Sequence, residues 1–210
     1  MPKTEPFETY HHRYDDWFQR HAAAYQSELL AVRALLPWSG TGLSIGVGTG
    51  RFAGPMGIQV GIDPAHAVLA YARNRGITTV QATAEALPFA DASFDYALSV
   101  TTICFVDNAS TMLAEAHRVL KPGGDIVLGF IDRTSALGQH YLEHQAENVF
   151  YRDATFFSAN EVDKLLRDTG FTHPLWVQTL SKPLEEIREI EPLRGGRGEG
   201  AFVVVRATRS

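Results

Sequence analysis

Apolar positions change their period along the chain, and each change marks an element. From Phe7 to Leu36 they recur every three or four residues, at Tyr14, Trp17, Phe18, Tyr25, Leu29 and Val32. That spacing draws one apolar stripe along a helix, broken near His21 and stopped by Pro37, which has no N–H to continue it. Short apolar runs follow at about 42–46, 58–62, 77–82, 94–99 and 125–131, as expected of strands buried on both faces. Helical spacing returns near 64–75 and 109–120. Ser158 followed by Glu161 has the pattern of a capping box, so a helix spans Ser158 to Thr169 and ends at Gly170. Two strands close the chain, about 171–180 and 200–207, joined through the loop Gly195 to Gly200. Strands alternating with helices demand an α/β fold, a parallel sheet with helices on both faces.

The first strand runs directly into a glycine-rich turn, LSIGVGTGRFA, Leu43 to Ala53, and the second closes on Asp63. A strand, a glycine turn, a short helix and a second strand ending in a carboxylate make a nucleotide-binding half-site. The glycines let backbone N–H groups approach an anionic or zwitterionic ligand, and the carboxylate can accept from both ribose hydroxyls. The dinucleotide fingerprint G-x-G-x-x-G needs glycine at position 51, where this chain has Arg51. Gly46, Gly48 and Gly50 read G-x-G-x-G instead, which favours S-adenosylmethionine over NAD.

Three further blocks follow in order: VGIDPAHAVLAYAR (Val60 to Arg73), QATAEALPFADASFDYALSV (Gln81 to Val100) and EAHRVLKPGGDIVLGF (Glu115 to Phe130). With the glycine turn they cover about residues 40 to 132, and over that span the chain resembles the class I S-adenosylmethionine-dependent methyltransferases. The similarity is to the small-molecule branch that includes the ubiquinone and menaquinone methylases. The N-terminal helix, the TTICFVDN segment (Thr101 to Asn108) and the tail also resemble a subgroup of small bacterial and archaeal methyltransferases, which brings no substrate with it. The resemblance implies one Rossmann-like domain over residues 1–210. Its sheet would have seven strands in the order 3-2-1-4-5-7-6, the last antiparallel, with an N-terminal helical lid (1–38) and a helical insertion (133–157). It also implies that S-adenosylmethionine is consumed and S-adenosylhomocysteine released.

Site residues are implied in the same way. Ser44, Gly46, Val47, Gly48 and Gly50 would face the methionine portion, and Asp63 the ribose. Pro64 and Leu87 would pack on the adenine faces, with Thr83, Ala84 and Glu85 at its edge. Val100, Thr101 and Thr102 would lie near the methyl group. Many members carry acidic residues where this chain has Ser44 and Thr83, and a hydroxyl accepts more weakly than a carboxylate.

For the acceptor, two aromatic segments are placed to fold over the pocket: Tyr14, Trp17, Phe18, His21 and Tyr25, and then His140, Tyr141, His144 and Tyr151. They suit a compact, partly apolar small molecule, although the same rings can pack helices on the sheet. His21 is the first candidate for a general base. The end of the fourth strand lacks the Asp/Asn-Pro-Pro-aromatic motif of amide and exocyclic-amine methylases, and no proline precedes Cys104. Cys104 therefore reads as a small buried hydrophobe. His140 to His144 spells H-x-x-E-H, but no third ligand or protease context accompanies it, so no metal site is expected. Arg194 and Arg197 lie among glycines and read as an exposed turn.

Composition narrows the partners. The formal net charge of −5 opposes binding to a polyanion, so no nucleic acid is expected. The single cysteine excludes an intrachain disulfide. No apolar run is long enough for a membrane span and no signal segment opens the chain, so a cytoplasmic monomer or homodimer is expected. A non-catalytic module that binds the cofactor stays open as an alternative, and an NAD-dependent oxidoreductase as a third reading, opposed by Arg51.

Overall fold

The computed structural model describes residues 3–210. Three helices open the chain: α1 (Glu5–Thr9), α2 (His11–Arg20) and α3 (Ala22–Leu35). The expected break at His21 is present, since its φ of −114° and ψ of 46° end α2, and a second break falls at Tyr10. The sheet strands are β1 (Gly42–Ile45), β2 (Val60–Asp63), β3 (Thr78–Gln81), β4 (Phe94–Val100), β5 (Leu120–Ile131), β6 (Phe171–Thr179), β7 (Arg194–Gly195) and β8 (Phe202–Arg209). Among them run α4 (His66–Asn74), α5 (Ala109–Val119), α6 (Ala136–Glu143) and α7 (Ala159–Asp168).

The strand order is β3-β2-β1-β4-β5-β8-β6-β7. β1 to β5 pair in parallel, and β8 runs antiparallel between β5 and β6. This is the expected order with one addition, an eighth strand of only two residues that pairs with Val177 and Gln178 at the edge. Two residues in a glycine-rich stretch have no hydrophobic period to reveal them. The short helix expected after β1 is also absent. Gly50, Gly54, Pro55 and Gly57 break that segment into turns, such as Gly54 N–H to the Gly50 carbonyl at 2.9 Å.

Alternation along each strand divides the core into two layers. Leu98, Val127, Phe202 and Val204 face α3 and α4, whereas Ala97, Ile126, Val203 and Val205 face α5 and α7. The α3 helix buries Ala24, Leu29, Ala31, Val32 and Leu35 in the first layer, so it belongs to the sheet's core. Of α1 and α2, only Phe18 is among the buried residues of that layer, which leaves most of these two helices to cover something else. The capping box on α7 forms as expected: the Ser158 hydroxyl accepts from Glu161 N–H while the Glu161 carboxylate accepts from Ser158 N–H. The helical insertion is shorter than expected, because α6 stops at Glu143 and one 3₁₀ turn, Gln145–Glu147, follows. No helix among the described residues is long and apolar enough to cross a membrane.

Candidate active site

β1 lies between β2 and β4, so chain direction outward from β1 reverses there and a crevice opens at the strands' carboxyl ends. A cavity of about 220 Å³ occupies that crevice. Its floor is Gly46 and Gly48 after β1, Asp63 and Pro64 after β2, Thr83 to Glu85 after β3, and Val100 to Thr102 after β4. Its roof is Tyr14, Trp17 and Phe18 of α2, with Tyr141 and Tyr151 of the insertion.

The floor is held by its own hydrogen bonds. The two Asp63 carboxylate oxygens accept from Gly48 N–H and Ala65 N–H, each at 2.9 Å. Burial raises the Asp63 carboxyl to about 6, against the opposing pull of these two amides. Thr102 Oγ1 donates to the Ile45 carbonyl at 3.3 Å, and its side chain fills the space where a Cβ on Gly46 would sit. Thr102 lines the cavity, but its side chain props the glycine turn. Thr101 has a φ of 49°, a left-handed conformation unusual for a β-branched residue, and its N–H is tied to the Gly129 carbonyl at 2.7 Å. The Glu85 carboxylate accepts from Asp107 N–H and Asn108 N–H, which fixes the start of α5. Arg118 donates to the carbonyls of Leu87 and Phe89 and so holds the loop after β3.

Several expected site residues stand elsewhere. Ser44 is buried inside β1, and Val47 packs against Gly61. Gly50 lies over Ala72 and Ile77, where it brings the turn close to α4. Leu87 belongs to the second core layer and does not line the cavity, whereas Val106 does. The Tyr25 hydroxyl donates to the Arg51 carbonyl, outside the cavity lining. His21 is a correction. It lies at the α2–α3 break against Trp17, ring centroids 5.0 Å apart, with its pKa lowered by burial, and it does not reach the cavity. His140 and His144 are exposed with their rings 4.4 Å apart, and the described residues hold no cluster of three metal-ligating side chains. Cys104 is buried, and burial pushes its thiol up to about 12, which leaves it unreactive.

A family model described as a methyltransferase domain matches residues 43–128. A Thermotoga maritima crystal structure described as an S-adenosylmethionine-dependent methyltransferase, a possible histamine N-methyltransferase, is 49% identical, with a TM-score of 0.96 and 99% of both chains covered. The chain belongs to the S-adenosylmethionine-dependent methyltransferases.

An uncharacterised protein of Methanocaldococcus jannaschii is 42% identical to this methyltransferase over 97% of the chain and 98% of its own length. The fold is shared more widely. A phosphoethanolamine N-methyltransferase of Haemonchus contortus, solved with S-adenosylhomocysteine, is 17% identical with a TM-score of 0.65, covering 88% of this chain and 52% of that one. The cofactor of this methyltransferase is S-adenosylmethionine, and the floor residues fit it. Gly48 has a φ of 52°, and a Cβ there would fall 3.3 Å from the hydroxyl of Tyr14, which lines the same cavity. Each Asp63 oxygen keeps a free lone pair for a ribose hydroxyl after accepting its backbone N–H.

Two features of this methyltransferase escaped the sequence reading. One is how α1 and α2 are fastened. Asp15 of α2 accepts from Arg51 at 2.6 Å and Arg75 at 3.0 Å, and the Glu8 carboxylate of α1 accepts from the first N–H groups of α4, His66 and Ala67. The other is Glu28 of α3, which lines the cavity although only 5% exposed. It has no hydrogen-bond or ion-pair partner among the described residues, and burial raises its carboxyl to about 8. The signal was present: Glu28 falls on the helical stripe of Ala24, Tyr25, Ala31 and Val32, where an acidic residue is out of place.

Proposed function

We propose that this methyltransferase transfers the methyl group to a small-molecule acceptor by in-line displacement. The observation that carries the reading is the continuity of the cavity, which joins the nucleotide-binding floor to an aromatic roof without a partition. S-adenosylmethionine supplies an electrophilic methyl carbon on a sulfonium. The protein's part is to bind, orient and exclude water, which for two well-placed reactants accounts for most of the rate. Asp63 and the glycine turn hold the nucleoside end. Pro64 and Val106 flank the adenine, and Thr83 meets its edge. The roof rings shape the acceptor space.

The α1–α2 segment is the lid in this reading. Its fastenings, Asp15 and Glu8, bind Arg51, Arg75 and the start of α4, while Tyr14, Trp17 and Phe18 line the cavity. Release of S-adenosylhomocysteine in a small-metabolite screen, with calorimetric titration of S-adenosylmethionine, S-adenosylhomocysteine and NAD, tests the proposal. Binding of the first two without release of product from any metabolite pool would establish the non-catalytic module instead. Binding of NAD alone would overturn both.

A further inference from the structure

The roof compartment contains a carboxyl group that no protein group answers. Glu28 is buried and faces the cavity, with no hydrogen-bond or ion-pair partner among the described residues. An unpaired polar group in such a place is costly, and proteins retain one where a ligand completes it. Its surroundings indicate the ligand. Tyr14, Tyr25, Tyr141 and Tyr151 all lie within electrostatic range of Glu28. Tyr14 of α2 is also in range of Asp63, whereas Tyr141 of the insertion is not. Glu28 thus sits among the roof rings of both α2 and the insertion, where the acceptor belongs.

Aromatic faces around a carboxylate make a receptor for an amine: the rings attract the cation through their quadrupoles and the carboxylate takes its N–H. We propose that the acceptor is a small primary or secondary amine carried on a flat aromatic body, and that Glu28 binds its nitrogen and removes a proton from it. This inference rests on the methyl-transfer reading above.

The proton and electron balance is simple. The amine enters as an ammonium against the Glu28 carboxylate, or as a free amine against the carboxylic acid, the two forms differing only in where one proton sits. With that proton on Glu28, the nitrogen lone pair attacks the methyl carbon. The N–C bond forms as the C–S bond breaks, and sulfur keeps the bonding pair as a neutral thioether. The product leaves as the N-methylated ammonium. Burial raises the Glu28 carboxyl to about 8, so the group can take this proton near neutral pH.

Glu28→Gln keeps the shape and removes the base. Calorimetry in saturating S-adenosylhomocysteine would compare benzylamine, 2-phenylethylamine and tryptamine with their alcohol counterparts, benzyl alcohol, 2-phenylethanol and tryptophol. At least one amine should bind the wild type more tightly than its alcohol. E28Q should lose at least about tenfold of that amine's affinity, as expected for a charge-assisted hydrogen bond, with no loss for the alcohol. S-adenosylhomocysteine affinity should be the same in both proteins, and it also reports that E28Q is folded. If E28Q weakens S-adenosylhomocysteine instead, Glu28 holds the cofactor's own ammonium and the proposal fails. It fails too if no amine binds, or if amines bind E28Q as well as wild type. Wild-type protein that binds no S-adenosylhomocysteine would overturn the methyl-transfer reading itself, a separate result.

Discussion

Asp63 braces the turn after β1; in the proposed reading it also offers lone pairs to the ribose, and both tasks need the ionised carboxylate. Asp63→Ala should therefore weaken S-adenosylhomocysteine by about 1.5–3 kcal/mol, the range for hydrogen bonds to a charged group. With the free carboxyl raised to about 6, wild-type affinity should fall as pH drops below that value, because a proton must first leave. Titration calorimetry at pH 5 and 7.5 checks both, and in D63A the affinity should lose that pH step. Gly48→Ala should cost about 1–2 kcal/mol of stability, since its φ of 52° is left-handed and its Cβ would crowd Tyr14. Chemical denaturation measures that. Asp63 and Gly48 stood out as candidates because Asp63 closes one apolar strand and Gly48 lies in the glycine run after another. His21 misled because helical spacing alone does not show that a break turns the ring toward Trp17. Glu28 was overlooked because an acidic residue within a helix ordinarily reads as its wet face.

The N-terminal elements divide by what they touch. α3 is core, whereas α1 and α2 depend on a few polar fastenings and a ring cluster that includes Phe7, Tyr14 and Phe18. Asp15→Ala would strand two half-buried guanidinium groups. A fully buried pair broken this way costs about 3–5 kcal/mol, and partial exposure should reduce the loss to about 1–3 kcal/mol. Hydrogen exchange should quicken across residues 5–20 in D15A and stay unchanged in β4 and β8. Uniform quickening would mean that α2 is part of the global folding unit. The long helical stripe was readable, and so was its break at His21. The break at Tyr10 was not, because the residues around it carry no proline or glycine. The clasp was equally invisible, since Asp15, Arg51 and Arg75 are far apart in sequence and each reads as a surface charge.

For the molecule as a whole, the buried acids act against the clasp in pH. Glu28, raised from 4.5 to about 8, favours the protonated folded state, so its contribution is complete below pH 4.5 and lost as pH climbs to about 8. The groups around it, Tyr14, Tyr25, Tyr141 and Tyr151, all have hydroxyls shifted upward by burial and do not titrate in that window. E28Q should match wild type near pH 4 and gain on it up to about pH 8, at about 1.4 kcal/mol per unit of pKa, when followed by denaturation. For Asp15, burial pushes the carboxyl up, but hydrogen bonds from Arg51 and Arg75 outweigh it and hold it low. Its contribution is present above the ordinary carboxylate range and is lost on acidification. The strand order was legible because glycine, carboxylate and Lys-Pro-Gly-Gly landmarks come in sequence, while β7 has too few residues to leave a pattern. Arg51, which stands where the dinucleotide fingerprint has glycine, is also one of the two anchors to which the cover over the cavity is tied. Placing a glycine at position 51 to mimic the dinucleotide fingerprint would also remove one of the two cations that hold Asp15, so a change in the turn carries over to the cover.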